Sequence, residues 1–160
     1  MISWRKIQPQ DLSAVVAMAQ DHFEREVDMI FHTDPLVYEY NLALAITNQL
    51  YNPYSALLIG AWTDDNQLVA YTWATRGERA VWSNEEMVAI RMAHTDLNIS
   101  ARERVALIKQ MMGFWEVWAV ECRIPIICST TMREDQGAFL KLHSRCGYSV
   151  RGSIAYKRLI

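Results

Sequence analysis

Apolar side chains recur at helical spacing in four segments of the chain. Such a recurrence, every three to four residues, marks the buried face of an amphipathic helix. The longest segment starts at Ser100 and carries a capping box, because Glu103 follows the N-cap serine three residues later. Asp34 and Pro35 give another start, with aspartate as N-cap and proline in the first helical position. The pattern predicts four helices, over residues 9–23, 35–50, 100–122 and 135–147, the last opened by Asp135 or Glu134 and ended by Gly147.

Shorter apolar runs bounded by turn residues indicate strands. Two of these runs flank the polar stretch 63–67 and therefore form a predicted hairpin. The second strand of the hairpin ends where Arg76-Gly77-Glu78 interrupts the run. Pro125 lies near the start of a buried run, where a missing N–H is tolerated. The predicted strands cover residues 2–7, 55–62, 68–75, 86–94, 124–129 and 148–159, the last with a bend at Gly152.

The predicted elements follow one another in the order β-α-α-β-β-β-α-β-α-β. An antiparallel meander occupies the first half, and parallel βαβ crossovers occupy the second. We therefore expect an α/β protein with a central mixed, mostly antiparallel sheet flanked by helices. No linker or repeat divides the sequence, so residues 1–160 are expected to form a single domain.

Composition narrows the classes of function. Hydrophobic residues make up 51% of the chain and charged residues 21%, which is typical of a globular protein. A formal net charge of −2 and a pI near 6.1 argue against a nucleic-acid-binding protein. No apolar run reaches the roughly 18 residues needed to span a bilayer, and residues 1–10 lack the apolar region of a signal peptide. We expect a cytoplasmic protein without nucleic-acid or membrane partners.

The cysteines and histidines show no spacing typical of metal ligands. No two histidines form an HxxxH or HxH pair, and no two cysteines form a CxxC pair. We therefore expect reduced, buried thiols and no metal site. The residues concerned are Cys122, Cys128, Cys146, His22, His32, His94 and His143.

The last predicted helix carries a pattern that resembles a known family. Residues 136–148 read Q-G-A-F-L-K-L-H-S-R-C-G-Y, and GNAT acetyltransferases commonly carry N-x-x-A-x-x-L-Y-x-K-x-G-F at this place. The opening W-R-K-I-Q-P-Q-D-L is similar to the start of these proteins as well. Any amphipathic helix that ends at glycine before a strand would give part of the same pattern. The matching positions are Leu142, Arg145, Gly147 and Tyr148, while Gln136 and His143 stand where the family has Asn and Tyr.

The resemblance implies the GNAT fold along the whole chain and acetyl transfer from acetyl-CoA to an amine. In this family the pyrophosphate of the cofactor lies between the fourth strand and the long helix, at the pattern Q/R-x-x-G-x-G/A. Free N–H groups and the dipole of a helix N-terminus make an anion site there. The residues that the resemblance assigns to the cofactor are Met92, His94, Ile99, Ser100, Ala101, Arg102, Arg104 and Gln136.

The predicted cofactor loop departs from the family pattern. Ile99 takes the Q/R position, and Arg102 and Arg104 take the two small-residue positions. No glycine remains to let the backbone approach the phosphates closely. The capping box of Ser100 and Glu103 would also occupy donors and place a carboxylate near the phosphates. In one interpretation the two arginines bind the phosphates through their side chains. In the other they face solvent and the capping box only starts a helix.

Acetyl transfer needs a base for the ammonium proton and an acid for the thiolate leaving group. The resemblance places Glu85 and Glu86, at the start of the fourth strand, where the family often has its base. His143 replaces the usual tyrosine acid, and an imidazolium can donate a proton near neutral pH. Tyr156 is a second candidate acid. The alternatives are a solvated strand end for the glutamates and an ordinary half-buried helix histidine.

The sequence leaves two functions open. One is a GNAT-like N-acyltransferase acting on a small-molecule or peptide amine. The other is a catalytically degenerate GNAT-fold protein that binds a protein partner. The missing glycines and tyrosine favour this second function. The sequence is also similar in style to compact GNAT-like proteins of tailed phages, some of which are assembly or virion-associated factors. Homodimers are common among relatives, so a homo-oligomer is one expectation. The tryptophans expected in the core or an interface are Trp62, Trp73, Trp82, Trp115 and Trp118.

Overall fold

The computed structural model describes residues 1–133, 135–152 and 154–160. All four predicted helices are present, with five of the six predicted strands. The strands are β1 (Ser3–Lys6), β2 (Ala56–Trp62), β3 (Leu68–Arg79), β4 (Glu86–Thr95) and β5 (Ile126–Ser129). The helices are α1 (Leu12–Glu26), which follows a 3-10 turn (Pro9–Asp11), α2 (Pro35–Tyr51), α3 (Ala101–Glu121) and α4 (Gly137–Arg145).

Two of the helices start at the predicted caps. At α2, the Asp34 carboxylate accepts a hydrogen bond of 2.9 Å from the Leu36 N–H, and proline occupies the first position. At α3, the capping box forms as predicted. Helix α4 begins at Gly137 rather than at Asp135, and Glu134 lies outside the described residues. Its predicted end is confirmed, because the residue after the C-cap is Gly147 with φ of +88°.

The five strands form one mixed sheet in the order β1-β2-β3-β4-β5. Strands β1 to β4 pair antiparallel with their neighbours. Strand β5 pairs parallel with β4, from Met87 opposite Ile126 to Ile90 opposite Ser129, and α3 makes the connection between them. This arrangement confirms the predicted fold class, an α/β protein with a mixed, mostly antiparallel sheet flanked by helices.

The stretch Arg76-Gly77-Glu78 bends β3 instead of ending it. The register with β4 shifts between Thr75 and Glu78, and Gly77 has φ of +93°. A glycine in this region of φ lets a strand form a bulge and continue. Strand β3 therefore runs to Arg79, beyond its predicted end at residue 75.

The predicted closing strand over residues 148–159 is wrong. From Tyr148 onward the described residues contain no strand, and Ser153 lies outside them. Gly152 has φ of +71°, which takes the backbone out of the extended conformation that a strand needs. Further along, Arg158 donates a hydrogen bond of 3.1 Å to the Ile30 carbonyl. This contact joins the C-terminal segment to the connection between α1 and α2.

Apolar side chains cover both faces of the sheet. One core cluster lies between the sheet and α3 and contains the buried Trp115 and Trp118. The other lies between the sheet and helices α1 and α2, contains the buried Trp62, and has Trp73 packed against it. Trp82 is 86% exposed. The predicted core position is therefore confirmed for the tryptophans of the two clusters and not for Trp82.

The three cysteines are unpaired, but the expectation that they are buried is wrong. Cys128 is exposed, while Cys122 and Cys146 are half-buried. Within the described residues, no three side chains of His, Cys, Asp or Glu come together as a metal site requires. In the same part of the chain, no helix is both long and apolar enough to cross a bilayer.

Candidate active site

A cleft opens where β4 and β5 separate. The two strands pair only from Met87 to Ile90 on β4. Beyond that point, no strand in the described part of the chain pairs with β4 on the side that faces β5, while β3 continues along its other side. The register with β3 shifts at the same place, since Trp73 faces Met92 and Ala74 faces Ile90. The cavity measures about 350 Å³ and is bounded by α1, α3, α4, β4 and the segment after β5. Its size is that of a small-molecule site.

The register shift opposite Trp73 and Ala74 is a bulge in β4. Two hydrogen bonds connect this bulge, through Thr72 on β3, to α3. Trp115 Nε1 donates to Thr72 Oγ1 at 2.9 Å, and Thr72 Oγ1 donates to the Met92 carbonyl at 2.8 Å. Trp115 and Thr72 are both fully buried, so water does not compete for these bonds. The position of the β4 edge in the cleft therefore depends on the packing of α3.

The carboxylate of Glu103, in the first turn of α3, is bound by the N-cap residue Ser100. Glu103 Oε2 accepts hydrogen bonds from the Ser100 N–H at 2.9 Å and from the Ser100 hydroxyl at 2.6 Å. Ser100 Oγ in turn accepts from the Glu103 N–H at 3.2 Å. The hydroxyl and N–H bonds from Ser100 lower the pKa of Glu103, so the cap is negatively charged at neutral pH. The capping box thus uses the Ser100 N–H, the Ser100 hydroxyl and the Glu103 N–H, and its competition with an anion stays a prediction.

The structure separates the two arginines for which the sequence allowed two interpretations. Arg104 lines the cleft, and its buried Nε has no hydrogen-bond partner among the described groups. Arg102 is exposed and lies outside the cleft lining. Side-chain binding of an anion therefore remains available to Arg104, whereas Arg102 faces solvent.

The other predicted cofactor residues divide in a similar way. Met92, His94 and Ala101 line the cleft. Ile99 packs against the core cluster beneath α3. Gln136 is exposed at the start of α4 and does not line the cleft. The structure thus brings together the residues of β4 and the first turn of α3, but not Gln136. Their role in cofactor binding stays a prediction.

The predicted catalytic glutamates lie at the end of β4 away from α3. Glu86 accepts hydrogen bonds of 2.9 and 3.1 Å from Arg76 and of 2.9 Å from the Gly77 N–H. The bond from Arg76 is the main cause that lowers the pKa of Glu86. Glu85 is exposed, and neither glutamate lines the cleft. This placement favours the strand-end interpretation, and their catalytic role stays a prediction.

His143 is buried and joins α4 to β5. Its Nδ1 lies 2.8 Å from the Phe139 carbonyl and its Nε2 lies 2.8 Å from Ser129 Oγ. A carbonyl can only accept, so Nδ1 carries the proton and Nε2 accepts from the serine hydroxyl. Burial lowers the pKa of His143, which disfavours the imidazolium that the acid role requires. Tyr156, the second candidate acid, packs edge-on against Phe31 with ring centroids 5.3 Å apart. Both acid roles stay predictions.

Two stacked histidines, with two buried tyrosines behind them, form part of the cleft wall. His22 on α1 stacks on His94 on β4, with ring centroids 4.2 Å apart and planes 6° apart. His94 Nδ1 lies 2.6 Å from the Tyr71 hydroxyl, which lies 2.7 Å from the Tyr38 hydroxyl. Burial, helped by the charge of His22, lowers the pKa of His94 to about 3. Burial raises the pKa of both tyrosines, so all three groups are uncharged at neutral pH.

Glu26 adds a carboxylate to this wall. Its Oε1 lies 3.5 Å from His22 Nδ1 and is paired with Arg133 Nε. Burial alone would raise the pKa of Glu26, but the hydrogen bonds and charges of Arg133 and of His22 in its protonated form outweigh burial and lower it. Glu26 is therefore ionised at neutral pH.

The sequence contains one local signal for this cluster. His22 and Glu26 are four residues apart on α1, and a helix places such residues on one face. His94 and Tyr71 join them because they stand opposite each other in the register of β3 and β4. The spacing between histidines alone does not reveal a His–Glu pair of this kind.

By sequence, no family model and no curated protein matches this chain. By structure, the chain is similar to solved acetyltransferases. The aminoglycoside antibiotic 6'-N-acetyltransferase of Acinetobacter baumannii matches 100% of this chain and 99% of its own at 15% identity, with a TM-score of 0.72. Glucosamine-6-phosphate N-acetyltransferase of Arabidopsis thaliana matches 100% and 99% at 10% identity, with a TM-score of 0.71. A predicted acetyltransferase of Clostridium acetobutylicum, solved with acetyl-CoA, matches 99% and 96% at 16% identity, with a TM-score of 0.71.

These similarities show that the chain has the fold of the GNAT acetyltransferases, as the resemblance in its sequence predicted. The cleft between β4 and β5 lies within this fold, and the chain is covered almost from end to end. Identities of 10% to 16% establish the architecture and not the substrate. Nothing in the comparisons supports a phage origin or the degenerate, protein-binding alternative.

Proposed function

We propose that this protein is an N-acetyltransferase that transfers the acetyl group of acetyl-CoA to an amine. The observation that carries the proposal is the open edge of β4 along a cleft of about 350 Å³, with Arg104 in its lining. Two proteins of the same fold are named as N-acetyltransferases of an aminoglycoside antibiotic and of glucosamine-6-phosphate. A third was solved with acetyl-CoA. These names support the reaction and leave the acceptor amine open.

The residues of the cleft fit acetyl-CoA at the strand edge and at one arginine. An unpaired strand edge offers N–H and C=O groups to a ligand that contains amides, as the pantetheine arm does. Arg104 offers a buried guanidinium Nε that has no partner among the residues the structure describes, and a guanidinium binds phosphate through its planar fork. The Ser100 N–H and hydroxyl already donate to the Glu103 carboxylate and are not free to bind phosphate. We therefore expect the phosphates to be held by the Arg104 side chain rather than by a backbone loop.

The chain's own residues orient the reactants and exclude water. When bound, acetyl-CoA supplies an activated acyl group: the amine nitrogen bonds to the acyl carbon, the carbon–sulfur bond breaks with its electron pair on sulfur, and sulfur takes one of the two protons that nitrogen loses. The hydrogen bonds from Trp115 through Thr72 to Met92 hold the β4 edge in place. Apolar side chains, including Ile108 and Leu142, line the cleft and keep water from the reacting groups.

The purified protein is expected to acetylate at least one amine in a panel of polyamines, aminosugars, aminoglycosides and peptide N-termini. Thiol release from acetyl-CoA and mass spectrometry of the amine would measure the reaction. The same incubation without amine is the control for simple hydrolysis. The proposal is contradicted if no amine is acetylated and calorimetry detects no acetyl-CoA binding at about 1 mM ligand.

A further inference from the structure

We propose that His22 is the general base of this reaction and that Glu26 stabilises its protonated form. The inference rests on the proposed N-acetyltransferase function. It assigns the atom that accepts the substrate proton, which is His22 Nδ1 on the wall of the cleft. Glu26 acts through His22 and is a positioning residue.

The contact of His22 with β4 determines which ring nitrogen is free. His22 Nε2 lies 2.8 Å from the Thr95 carbonyl oxygen. A carbonyl oxygen can only accept, so Nε2 carries the proton of the neutral ring and Nδ1 has a lone pair. Glu26 Oε1 lies 3.5 Å from Nδ1, and a carboxylate cannot donate a hydrogen bond to it. The lone pair of Nδ1 is therefore available for a proton from a substrate ammonium.

Glu26 and His94 are neighbours of the His22 ring. Once protonated, Nδ1 can donate to the Glu26 carboxylate. The ring stacked on His22 is His94, whose pKa burial lowers to about 3, so the two rings do not carry charge together. Arg133 opposes the new charge, but it is already paired with Glu26. A smaller cavity lies on the other side of His22, between α1 and residues 95–97. The charged and titratable groups that line this cavity and the cleft are Asp21 and Glu26 on α1, Arg91 and His94 on β4, Asp96 after β4, Arg104 on α3 and Arg133 after β5.

The step assigned to His22 is a single proton transfer. An N–H bond of the substrate ammonium breaks, its electron pair stays on the substrate nitrogen, and the proton forms a bond with Nδ1. The nitrogen then has the lone pair that a nucleophile needs. His22 returns the proton to solvent before the next turnover.

Other polar groups near the cleft are poorer proton acceptors. Hydrogen bonds and the Arg133 charge outweigh burial and lower the pKa of Glu26, which makes it a weak base. Burial lowers the pKa of His94 to about 3. Glu86 is held by Arg76 and does not line the cleft. Of the described residues in the cleft wall, His22 combines a bare ring nitrogen with a neighbouring carboxylate.

Replacing His22 by glutamine separates its proposed role as a base from its structural hydrogen bond to the Thr95 carbonyl. Glutamine keeps an N–H that can donate to the Thr95 carbonyl, but it has no basic nitrogen. His22→Gln is expected to lower kcat/KM by about 10²- to 10⁴-fold. The dissociation constant of acetyl-CoA should stay within about threefold. His32→Gln, the same exchange at an exposed histidine, is the matched control and is expected to keep wild-type activity.

The pH profile and nitrogen NMR test the role of Glu26. The wild-type kcat/KM is expected to rise with pH along a titration whose midpoint coincides with that of the His22 imidazole in NMR spectra. Glu26→Gln should move both midpoints to lower pH, because the imidazolium loses its carboxylate and faces Arg133. The same spectra report the tautomer without turnover, and the neutral ring should carry its proton on Nε2.

The outcomes distinguish this inference from the function on which it rests. A neutral His22 ring protonated on Nδ1 overturns the inference, and so does a His22→Gln variant as active as His32→Gln. If the wild-type protein still acetylates an amine in either case, the N-acetyltransferase function stands with another base. A wild-type protein that acetylates no amine overturns the proposed function and this inference with it.

Discussion

Replacing Trp115 by alanine is expected to lower the free energy of unfolding by about 3–5 kcal/mol. Trp115 is fully buried between α3 and the sheet, so its removal leaves a large cavity. It also takes away the donor to Thr72, the residue that holds the Met92 carbonyl at the β4 bulge. Denaturant unfolding followed by circular dichroism would measure the loss of stability.

Two variants separate the causes of this effect. Trp115→Phe keeps most of the buried ring and removes the hydrogen bond, so it should cost less than the alanine variant, with about 1 kcal/mol for the bond. Trp82→Ala is the matched control, since Trp82 is 86% exposed, and should change stability by less than about 0.5 kcal/mol. Equal losses of unfolding free energy for Trp115→Ala and Trp82→Ala would show that burial of Trp115 does not stabilise the core.

Replacing Arg104 by glutamine is expected to weaken acetyl-CoA binding by about 10- to 100-fold. A hydrogen bond to a charged group contributes about 1.5–3 kcal/mol, and each 1.4 kcal/mol is about tenfold in the dissociation constant. Arg104 lines the cleft, and within the described part of the chain its Nε has no partner. The N–H groups of Ser100 and Glu103 at the start of α3 are used by the capping box. Isothermal titration calorimetry with acetyl-CoA would measure the change.

Arg102→Gln is the matched control for this experiment. It removes the same charge from the same helix turn, but Arg102 is exposed and outside the cleft lining. Its dissociation constant should stay within about threefold of wild type. Arg104→Lys should recover part of the affinity, because lysine keeps the charge without the planar fork. Equal losses in the two glutamine variants would mean that only the overall charge matters.

The element order could be predicted because local signals set it. The Asp34 and Ser100 caps lie where the sequence placed them, and the last helix ends before Gly147. Each of these features depends on residues within one or two turns of one another. The four helices, the hairpin and the mixed sheet follow from such signals with hydrophobic periodicity.

The predicted closing strand is absent because contacts with distant residues, rather than the local alternating pattern, determine the conformation of this segment. Residues 148–159 alternate well enough for a strand, but Gly152 has positive φ and Arg158 bonds the connection between α1 and α2. Tertiary contacts decide between such alternatives. At Gly77 the opposite error occurs. The stretch Arg76-Gly77-Glu78 predicts the end of β3, but pairing with β4 continues past it to Arg79.

The candidate site was less predictable because it forms between distant elements. Arg102 and Arg104 stand about 200° apart around the helix, and only the position of the cleft decides which one lines it. His22 and Glu26 share a helix face, but the contact of His22 with Thr95 spans 73 residues of sequence. That contact fixes the tautomer on which the proposed base depends.

An NMR titration of the isotope-labelled protein with acetyl-CoA would test the central claim, that the β4–β5 cleft is the acetyl-CoA site, most directly. The amide signals of residues 92–95 and 101–104 are expected to shift and saturate together, while those of residues 85–87 change little. Arg104→Gln should require more ligand for the same shifts. No shift in these two segments at about 1 mM ligand, or saturable shifts confined to other elements, would contradict the claim.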